Sequence, residues 1–172
     1  MEAYTGIIKF IEIVATIDTI VLIVVIVRAV YLWITGISPV LFRLGNGLAR
    51  RKIAVFAKND NLPSLKSLLI DSKLFKARNI IEISGANDIG RAESASVYLV
   101  YWHDWIAEID QILEKKPDKC ALVVYAPYYL ERIETDTMKK LDGKRHTAVT
   151  NFRGRLLNDI LTSMITTSYE PR

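Results

Sequence analysis

The chain has 172 residues, of which 51% are hydrophobic and 24% charged, and its formal net charge at pH 7 is +4. Its single cysteine, Cys120, excludes an intrachain disulfide and agrees with a reducing compartment. Two widely separated histidines, His103 and His146, argue together with that lone cysteine against a zinc site built from protein ligands.

An apolar run near the N-terminus, Ile7–Phe42, predicts a membrane-spanning helix. The segment Ile13–Val27 holds one charge, Asp18, and Ala29–Phe42 holds none. A helix rises about 1.5 Å per residue and the hydrocarbon core is about 30 Å thick, so about twenty residues suffice to span it. The alternative is a signal peptide, but the run is longer than the apolar core of such peptides, lacks a basic start and has no clean cleavage site before Pro39. The sequence therefore favours a permanent single span.

The charges that flank this span predict its orientation. Five basic residues follow it, whereas the first twelve residues offer one lysine against two glutamates: Arg43, Arg50, Arg51, Lys52 and Lys58 on one side, and Lys9, Glu2 and Glu12 on the other. Under the positive-inside rule, the short N-terminus lies outside and residues 43–172 lie in the cytosol.

Two ionisable residues, Asp18 and Arg28, fall within the span. Each costs about 2.5–3.5 kcal/mol if it faces lipid at mid-bilayer, and one helix alone cannot shelter them. Asp18 shares a helical stripe with residues that oligomerisation would turn towards a lumen, so we expect a pore lined by Asp18, Leu22, Val25 and Ala29. The alternative is an ordinary anchor, in which Arg28 snorkels to the cytosolic headgroups and Asp18 lies near the outer interface. The sequence leaves both interpretations open.

A basic linker, residues 43–51, separates the span from the rest of the chain. Pro39 ends or kinks the helix before it, and Arg50–Lys52 supply positive charge at the membrane surface. We therefore divide the chain into an N-terminal segment with its transmembrane helix, 1–42, the linker, and a cytosolic ligand-sensing domain, 52–172, whose roughly 120 residues suffice for one core.

Alternating apolar runs and helical patterns predict a strand–helix repeat in this domain. Five short runs rich in valine, isoleucine and aromatic residues are predicted strands: Lys52–Ala57, Asn79–Ser84, Ser96–Trp102, Cys120–Ala126 and His146–Phe152. The spacing of apolar residues predicts four helices: Leu62–Phe75, Asp104–Lys116, Tyr129–Leu141 and Arg155–Thr167. Asp60 or Asn61 is available to cap the first helix, and Gly85–Ser94 fits either a loop or a short helix.

Such alternation, with near-continuous apolar strands, predicts an α/β fold with a five-stranded parallel sheet covered on both faces, in a doubly wound, flavodoxin-like arrangement. Ligands of such sheets bind outside the carboxyl ends of the strands, where the loops of this chain hold amides, cations and aromatic rings that suit phosphates and stacked bases. We therefore expect a nucleotide site formed by Lys58, Asn59, Asn61, Ser84, Arg91, Tyr101, Trp102, His103, Asn151 and Arg153. The plainer interpretation is that the asparagines cap helices and the aromatic rings fill the core.

Catalysis receives little support from the sequence. It contains no P-loop, no glycine-rich dinucleotide fingerprint, no Gly-x-Ser-x-Gly elbow and no paired Cys/His metal pattern. His103 beside Asp104 suits acid–base chemistry by residue type, but adjacent residues at a helix start point in different directions, so we expect the pair to cap the helix instead. No catalytic residue, metal or cofactor is predicted.

Four segments carry a resemblance to known proteins. Lys52–Ala57 (KIAVFA), Leu65–Phe75 (LKSLLIDSKLF), Asn79–Ile83 (NIIEI) and the aromatic third strand SVYLVYW resemble the TIR-like, flavodoxin-type domains of bacterial antiphage systems. Joined to a single N-terminal span, such a domain is similar to the small membrane effectors gated by nucleotide signals in Hailong-type defence or in CRISPR-associated systems. The resemblance implies an oligomeric channel of the bacterial inner membrane, with a tetramer favoured. It also implies a nucleotide or oligonucleotide ligand made by a nucleotidyltransferase of the same system, and an opening that harms the infected cell.

Two alternatives remain open. A TIR enzyme that hydrolyses NAD carries a glutamate a few positions past a tryptophan on the helix after the third strand, and Trp105 and Glu108 resemble that arrangement. Their spacing is one residue shorter than the usual Trp-x-x-x-Glu, and the serine-rich loop that precedes it in such enzymes is missing. The other alternative is a membrane-tethered interaction module without channel or catalysis, for which we expect a monomer in detergent that tolerates Asp18→Leu.

Overall fold

The computed structural model describes residues 2–37, 45, 51–130 and 132–167. The chain divides into two compact units, Met1–Leu44 and Gly45–Arg172. Pro39 and most of the predicted linker 43–51 lie outside the described residues.

The N-terminal unit contains one long helix, α1, Glu2–Leu32, which a π-helical turn, Trp33–Ile37, continues. Its segment Ile13–Gly36 has 24 residues and a mean hydropathy of 2.5. At about 1.5 Å per residue this segment is about 36 Å long, which exceeds a hydrocarbon core of about 30 Å. Among the described residues it is the one helix long and apolar enough to cross a membrane.

The second unit is built on five parallel strands. They are β1, Ile53–Phe56, β2, Ile80–Ile83, β3, Val97–Tyr101, β4, Ala121–Tyr125, and β5, Thr147–Thr150. The strands form one sheet in the order β2-β1-β3-β4-β5, and every neighbouring pair is parallel. β1, β3 and β4 are interior strands that are buried along their whole length, which explains their continuous apolar sequences. The direction in which strands are added reverses between β1 and β3.

Helices cover both faces of the sheet. One face is covered by α2, Asn61–Asp71, and α5, Arg153–Thr166, whose apolar residues Leu65, Leu69, Leu156, Ile160 and Met164 pack on it. The other face is covered by α3, Ile109–Lys115, α4, Thr135–Asp142, and the 3-10 helix Ala86–Ser94, through Ile89, Ala92, Ile109, Ile112, Leu113 and Leu141. Two shorter 3-10 helices, Ala77–Asn79 and Trp102–Asp104, lie before β2 and after β3.

The predicted α/β fold with a five-stranded parallel sheet is confirmed, and each strand agrees with its predicted bounds to within two residues. The last predicted helix is confirmed as α5, and the first ends earlier than predicted, at Asp71. The ambiguous segment Gly85–Ser94 is largely a 3-10 helix.

Two predicted helices begin too early. After β3 the chain forms the 3-10 turn Trp102–Asp104, and α3 starts only at Ile109. α4 starts at Thr135 rather than at Tyr129, because Leu130 packs against one face of the sheet and Ile133 against the other. Residues three apart on a helix lie on the same side of it, so a helix there could not direct Leu130 and Ile133 to opposite faces of the sheet.

The predicted helix caps are wrong. Asp60 occupies the N-cap position of α2, but its side chain makes no capping hydrogen bond. The Asn61 side chain instead donates to Asp104. The N-cap of α3 is Glu108, so the pair His103–Asp104 does not cap that helix.

Candidate functional site

One carboxylate joins two loops at the carboxyl edge of the sheet, where the strand order reverses. Asp104 Oδ2 accepts a hydrogen bond from the backbone N–H of Lys58 at 2.6 Å, and Asn61 Nδ2 lies 3.1 Å from both carboxylate oxygens. Hydrogen bonds to an ionised acceptor are stronger than neutral ones. The loop after β1 and the turn after β3 are therefore fixed to each other.

Asn59 gives the loop after β1 its turn. Its φ of 47° lies in the left-handed region, which asparagine adopts more readily than most residues. The backbone N–H of Asn61 then donates to the Lys58 carbonyl oxygen at 3.1 Å as the chain enters α2. Backbone conformation thus accounts for asparagine at this position, and its exposed side chain makes no hydrogen bond among the described residues.

Lys58 lies between a carboxylate and an aromatic ring. Its Nζ atom is 3.2 Å from Glu108 Oε1 and 4.7 Å from the centroid of the Trp105 ring. Trp105 is fully buried and packs edge-on against Phe56, with ring centroids 5.5 Å apart. The Glu108 carboxylate therefore balances the charge of the Lys58 ammonium group, which lies over the Trp105 ring in a cation–π contact.

Tyr101 and Trp102, two predicted ligand residues, are buried in the core rather than exposed at the edge. Tyr101 packs edge-on against Tyr125, with ring centroids 5.7 Å apart, on the face covered by α2 and α5. Trp102 belongs to the cluster on the other face. Among the described residues, the indole Nε1 atoms of Trp102 and Trp105 have no hydrogen-bond partner.

Burial raises the pKa of three phenol groups and of the thiol in this domain. It raises the pKa of Tyr101 to about 12, with smaller contributions from Tyr129, Asp104 and Tyr125, and it also raises the pKa of Tyr125 and Tyr98. Burial likewise raises the pKa of the Cys120 thiol to about 12. These groups are therefore neither bases nor nucleophiles at neutral pH, and they act as packing groups and weak donors.

The three cations predicted to meet phosphate are each engaged elsewhere in the domain. Lys58 pairs with Glu108, and Arg91 pairs at 3.4 Å with Asp88 of its own 3-10 helix. Arg153 Nη2 donates to the Ser64 carbonyl oxygen at 2.8 Å, which links the first turns of α5 and α2. The remaining predicted residues, Ser84, His103 and Asn151, are exposed at the ends of β2, β3 and β5.

A group of exposed aromatic rings lies beside the ends of β4 and β5. The side chains of Tyr128, Tyr129 and Phe152 are 69%, 68% and 52% exposed. The Tyr128 ring centroid is 5.5 Å from that of Tyr129 and 5.6 Å from that of Phe152, so the three rings form one patch. Contiguous groups of exposed aromatic rings commonly mark binding surfaces.

A pocket of about 470 Å³ adjoins this aromatic patch. Tyr128, Arg132 and Asn151 line it together with the apolar side chains of Ile133, Met138 and Val149. The volume falls within the roughly 300–1,000 Å³ that is usual for small-molecule sites, and an apolar lining with few polar groups is also usual there.

The predicted site residues do not include Arg132, Tyr128 or Phe152, although Tyr128 lies in the loop after the fourth predicted strand, at the edge where a ligand is expected. Arg132 falls inside the predicted helix Tyr129–Leu141, and Phe152 falls at the end of a predicted strand. The dipeptide Tyr128–Tyr129 directly after Pro127 was the available signal, because a proline followed by aromatic residues at the end of a buried strand indicates an irregular, exposed segment.

The predicted pore residues lie along α1, and all four side chains are exposed: Asp18, Leu22, Val25 and Ala29. Thr19 Oγ1 donates to the Ala15 carbonyl oxygen at 2.8 Å, and Thr35 Oγ1 does the same to Tyr31. Such bonds satisfy the hydroxyls without a second helix. The need for a polar neighbour therefore rests on the two charged residues, Asp18 and Arg28.

The described residues contain no group of three or more His, Cys, Asp or Glu side chains that could hold a metal ion. Comparison of the chain with protein-family models, with curated proteins and with solved structures found no match.

Proposed function

We propose that this protein is a single-pass protein of the bacterial inner membrane that acts as an oligomeric channel gated by a nucleotide or oligonucleotide in antiphage defence. The N-terminus lies outside, and the α/β domain lies in the cytosol and binds the ligand at the carboxyl edge of its sheet. One observation carries the proposal. Exposed rings, an amide and cations converge at that edge, in a chain whose other unit is an apolar helix of membrane-spanning length.

The sheet topology supports a ligand site at this edge. The strand order 2-1-3-4-5 is that of flavodoxin-like domains, which bind ligands outside the carboxyl ends near the point where the order reverses. We infer a flavodoxin-like domain of TIR type on this ground and on the resemblance of its first strands.

The charged residues of the span support assembly. A carboxylate that faces lipid at mid-bilayer costs about 2.5–3.5 kcal/mol, and closed rings of identical subunits remove that cost by turning it towards a lumen. Asp18 has no partner among the described residues. Four copies around Asp18, Leu22, Val25 and Ala29 form the proposed pore, and a nucleotidyltransferase supplies the ligand.

The test uses the full chain, purified in detergent and reconstituted in liposomes. We expect an oligomer of three or more chains, co-purified nucleotides detectable by mass spectrometry, and ion flux that responds to added nucleotide. Asp18→Leu is expected to reduce flux and assembly, whereas Val24→Leu, on another side of α1, leaves both unchanged. A monodisperse monomer without ion flux would contradict the channel and favour the alternative of a membrane-tethered interaction module.

A second function, hydrolysis of NAD, is favoured by the place of Glu108. Its half-buried carboxylate lies at the carboxyl edge, 3.2 Å from Lys58 Nζ, and Glu108 follows Trp105 in the sequence in a way that resembles the tryptophan and glutamate of TIR enzymes. If the protein consumes NAD, and Glu108→Gln abolishes this while Glu114→Gln on the exposed side of α3 does not, the enzyme takes the place of the channel. Ion flux without NAD consumption would reject the enzymatic function.

A further inference from the structure

The cations at the carboxyl edge differ in how far they are free to bind an anion. An anion that approaches Lys58 meets the Glu108 carboxylate, one that approaches Arg91 meets Asp88, and Arg153 is held by a carbonyl oxygen. Arg132 is exposed, and its guanidinium has neither an ion pair nor a hydrogen bond among the described residues. A guanidinium presents a planar fork of donors that matches phosphate oxygens, and an unpaired one is available without breaking another contact.

The surroundings of Arg132 suit a planar ring as well as an anion. Arg132 lines the same pocket of about 470 Å³ as Tyr128 and Asn151. Tyr128 is exposed in the aromatic patch and offers a stacking surface. The Asn151 side-chain amide is exposed and has no partner among the described residues, so its donor and acceptor are both free to pair with a base edge.

We propose that this pocket is the nucleotide site: Arg132 binds the phosphate, Tyr128 stacks on the base, and Asn151 hydrogen-bonds to the base edge. The inference rests on the proposed nucleotide-dependent function and assigns its ligand to the β4–β5 end of the edge. It thereby moves the phosphate contact from Lys58, Arg91 and Arg153 to a residue outside the predicted set. Ile133, Met138 and Val149 supply the apolar part of the pocket lining, against which a base can pack.

The experiment titrates the detergent-purified full chain with each of the four nucleoside 5′-monophosphates, with the corresponding nucleosides and with ribose 5-phosphate, and measures binding by saturation-transfer NMR. Arg132→Gln is expected to weaken the phosphate-bearing probes by about tenfold or more and to leave the nucleosides unchanged. Tyr128→Ala is expected to show the converse pattern, with nucleosides and nucleotides weakened and ribose 5-phosphate unchanged. Arg78→Gln, an exposed arginine before β2 at the opposite edge of the sheet, is the matched control.

The outcomes separate this inference from the proposed function. Binding that is unaffected by Arg132→Gln but lost in Lys58→Gln overturns the pocket assignment and leaves the nucleotide function standing. Absence of binding by every probe to the wild-type chain, together with no co-purified nucleotide, overturns the proposed function and this inference with it. If Arg132→Gln loses binding of every probe and also shows an altered near-ultraviolet circular dichroism spectrum, Arg132→Lys, which keeps the charge, is measured as well and should restore phosphate binding in part. No recovery in Arg132→Lys overturns the assignment.

Discussion

At the scale of single residues, Asp104 stabilises the carboxyl edge of the sheet by joining two loops that are far apart in the sequence. Its carboxylate accepts from the Lys58 backbone and from the Asn61 side chain, so it fixes a loop that lies 46 residues away along the chain. We predict that Asp104→Ala lowers the free energy of unfolding by about 1–3 kcal/mol, because two donors lose their charged acceptor. Denaturant unfolding in detergent, followed by fluorescence of the buried tryptophans, measures the change.

Asp136→Ala is the matched control for that prediction. Asp136 pairs with Lys139 on the surface of α4, where the two side chains are 89% and 73% exposed. Exposed ion pairs of this kind contribute little to stability. Equal losses in the two variants would mean that Asp104 acts as an ordinary surface carboxylate.

The buried acids of the domain predict how its stability depends on pH. Burial raises the pKa of Cys120 from 9.0 and that of Tyr101 from 10.0, each to about 12, so both groups bind protons more tightly in the folded protein. The stability associated with them is therefore fully present below about pH 9 and falls as the pH rises from about 9 to 12. We expect unfolding midpoints to decline over that range.

Cys120 should also resist thiol reagents at pH 8 until denaturant is added, and rapid labelling of the native protein would contradict its burial.

The residue types of the site were predictable, but their partners were not. Lys58 and Asn61 were expected at the carboxyl edge because they follow the first strand, and the structure brings them together with Asp104. That Glu108 neutralises Lys58 depends on how two loops meet in three dimensions, which no local pattern records. Tyr101 and Trp102 are predicted ligand residues, yet both side chains are buried in the core, as the plainer interpretation of the aromatic rings expects.

At the scale of elements, α5 is attached at both ends. Arg153 at its start donates to Ser64, and Arg51 donates to the Met164 carbonyl and the Thr167 hydroxyl at its end. A cation at a helix C-terminus interacts favourably with the free carbonyls and the helix dipole. Burial lowers the pKa of Arg51, but arginine remains charged, so the bond persists at neutral pH.

We predict that Arg51→Ala frays the last turn of α5 and lowers the free energy of unfolding by about 1–3 kcal/mol, the usual contribution of hydrogen bonds to a charged group. Hydrogen exchange should accelerate in the last turn of α5 and remain slow in β3 and β4. Arg155→Ala, an exposed arginine in the first turn of the same helix, is expected to change neither quantity. Uniform acceleration across the domain would show that Arg51 supports the whole fold rather than this helix end.

The strands were more predictable than the helices for a physical reason. A strand buried on both faces, such as β4, leaves an uninterrupted apolar run whatever its neighbours are. The starts of α3 and α4 depend instead on tertiary contacts: the Asp104 carboxylate holds the turn after β3, and the segment with Leu130 and Ile133 passes from one face of the sheet to the other. Helical spacing of apolar residues alone cannot distinguish such a segment from the first turn of a helix.

At the scale of the whole molecule, a cytosolic ligand can gate a membrane pore only through differential affinity for its closed and open states. The chain connects the α/β domain to α1 through residues 43–51, so a change at the ligand edge must act on that linker if it is to move the span. Arg51, at its end, is bonded to the end of α5, and the other end of α5 lies at the carboxyl edge. This helix therefore connects the carboxyl edge of the sheet, where we propose that the ligand binds, to Arg51 at the end of the linker.

We predict that insertion of several Gly and Ser residues into linker 43–51 leaves assembly and nucleotide binding intact but removes the response of ion flux to nucleotide in liposomes, because a slack linker cannot transmit a displacement. The same insertion between Asp118 and Lys119, in an exposed loop before β4 at the opposite edge of the sheet, is the control and should preserve the response. If flux in the linker variant still follows nucleotide, the domain acts on the span by a route other than tension along the chain. A response lost in both variants would instead mean that the insertion disturbs the α/β domain itself.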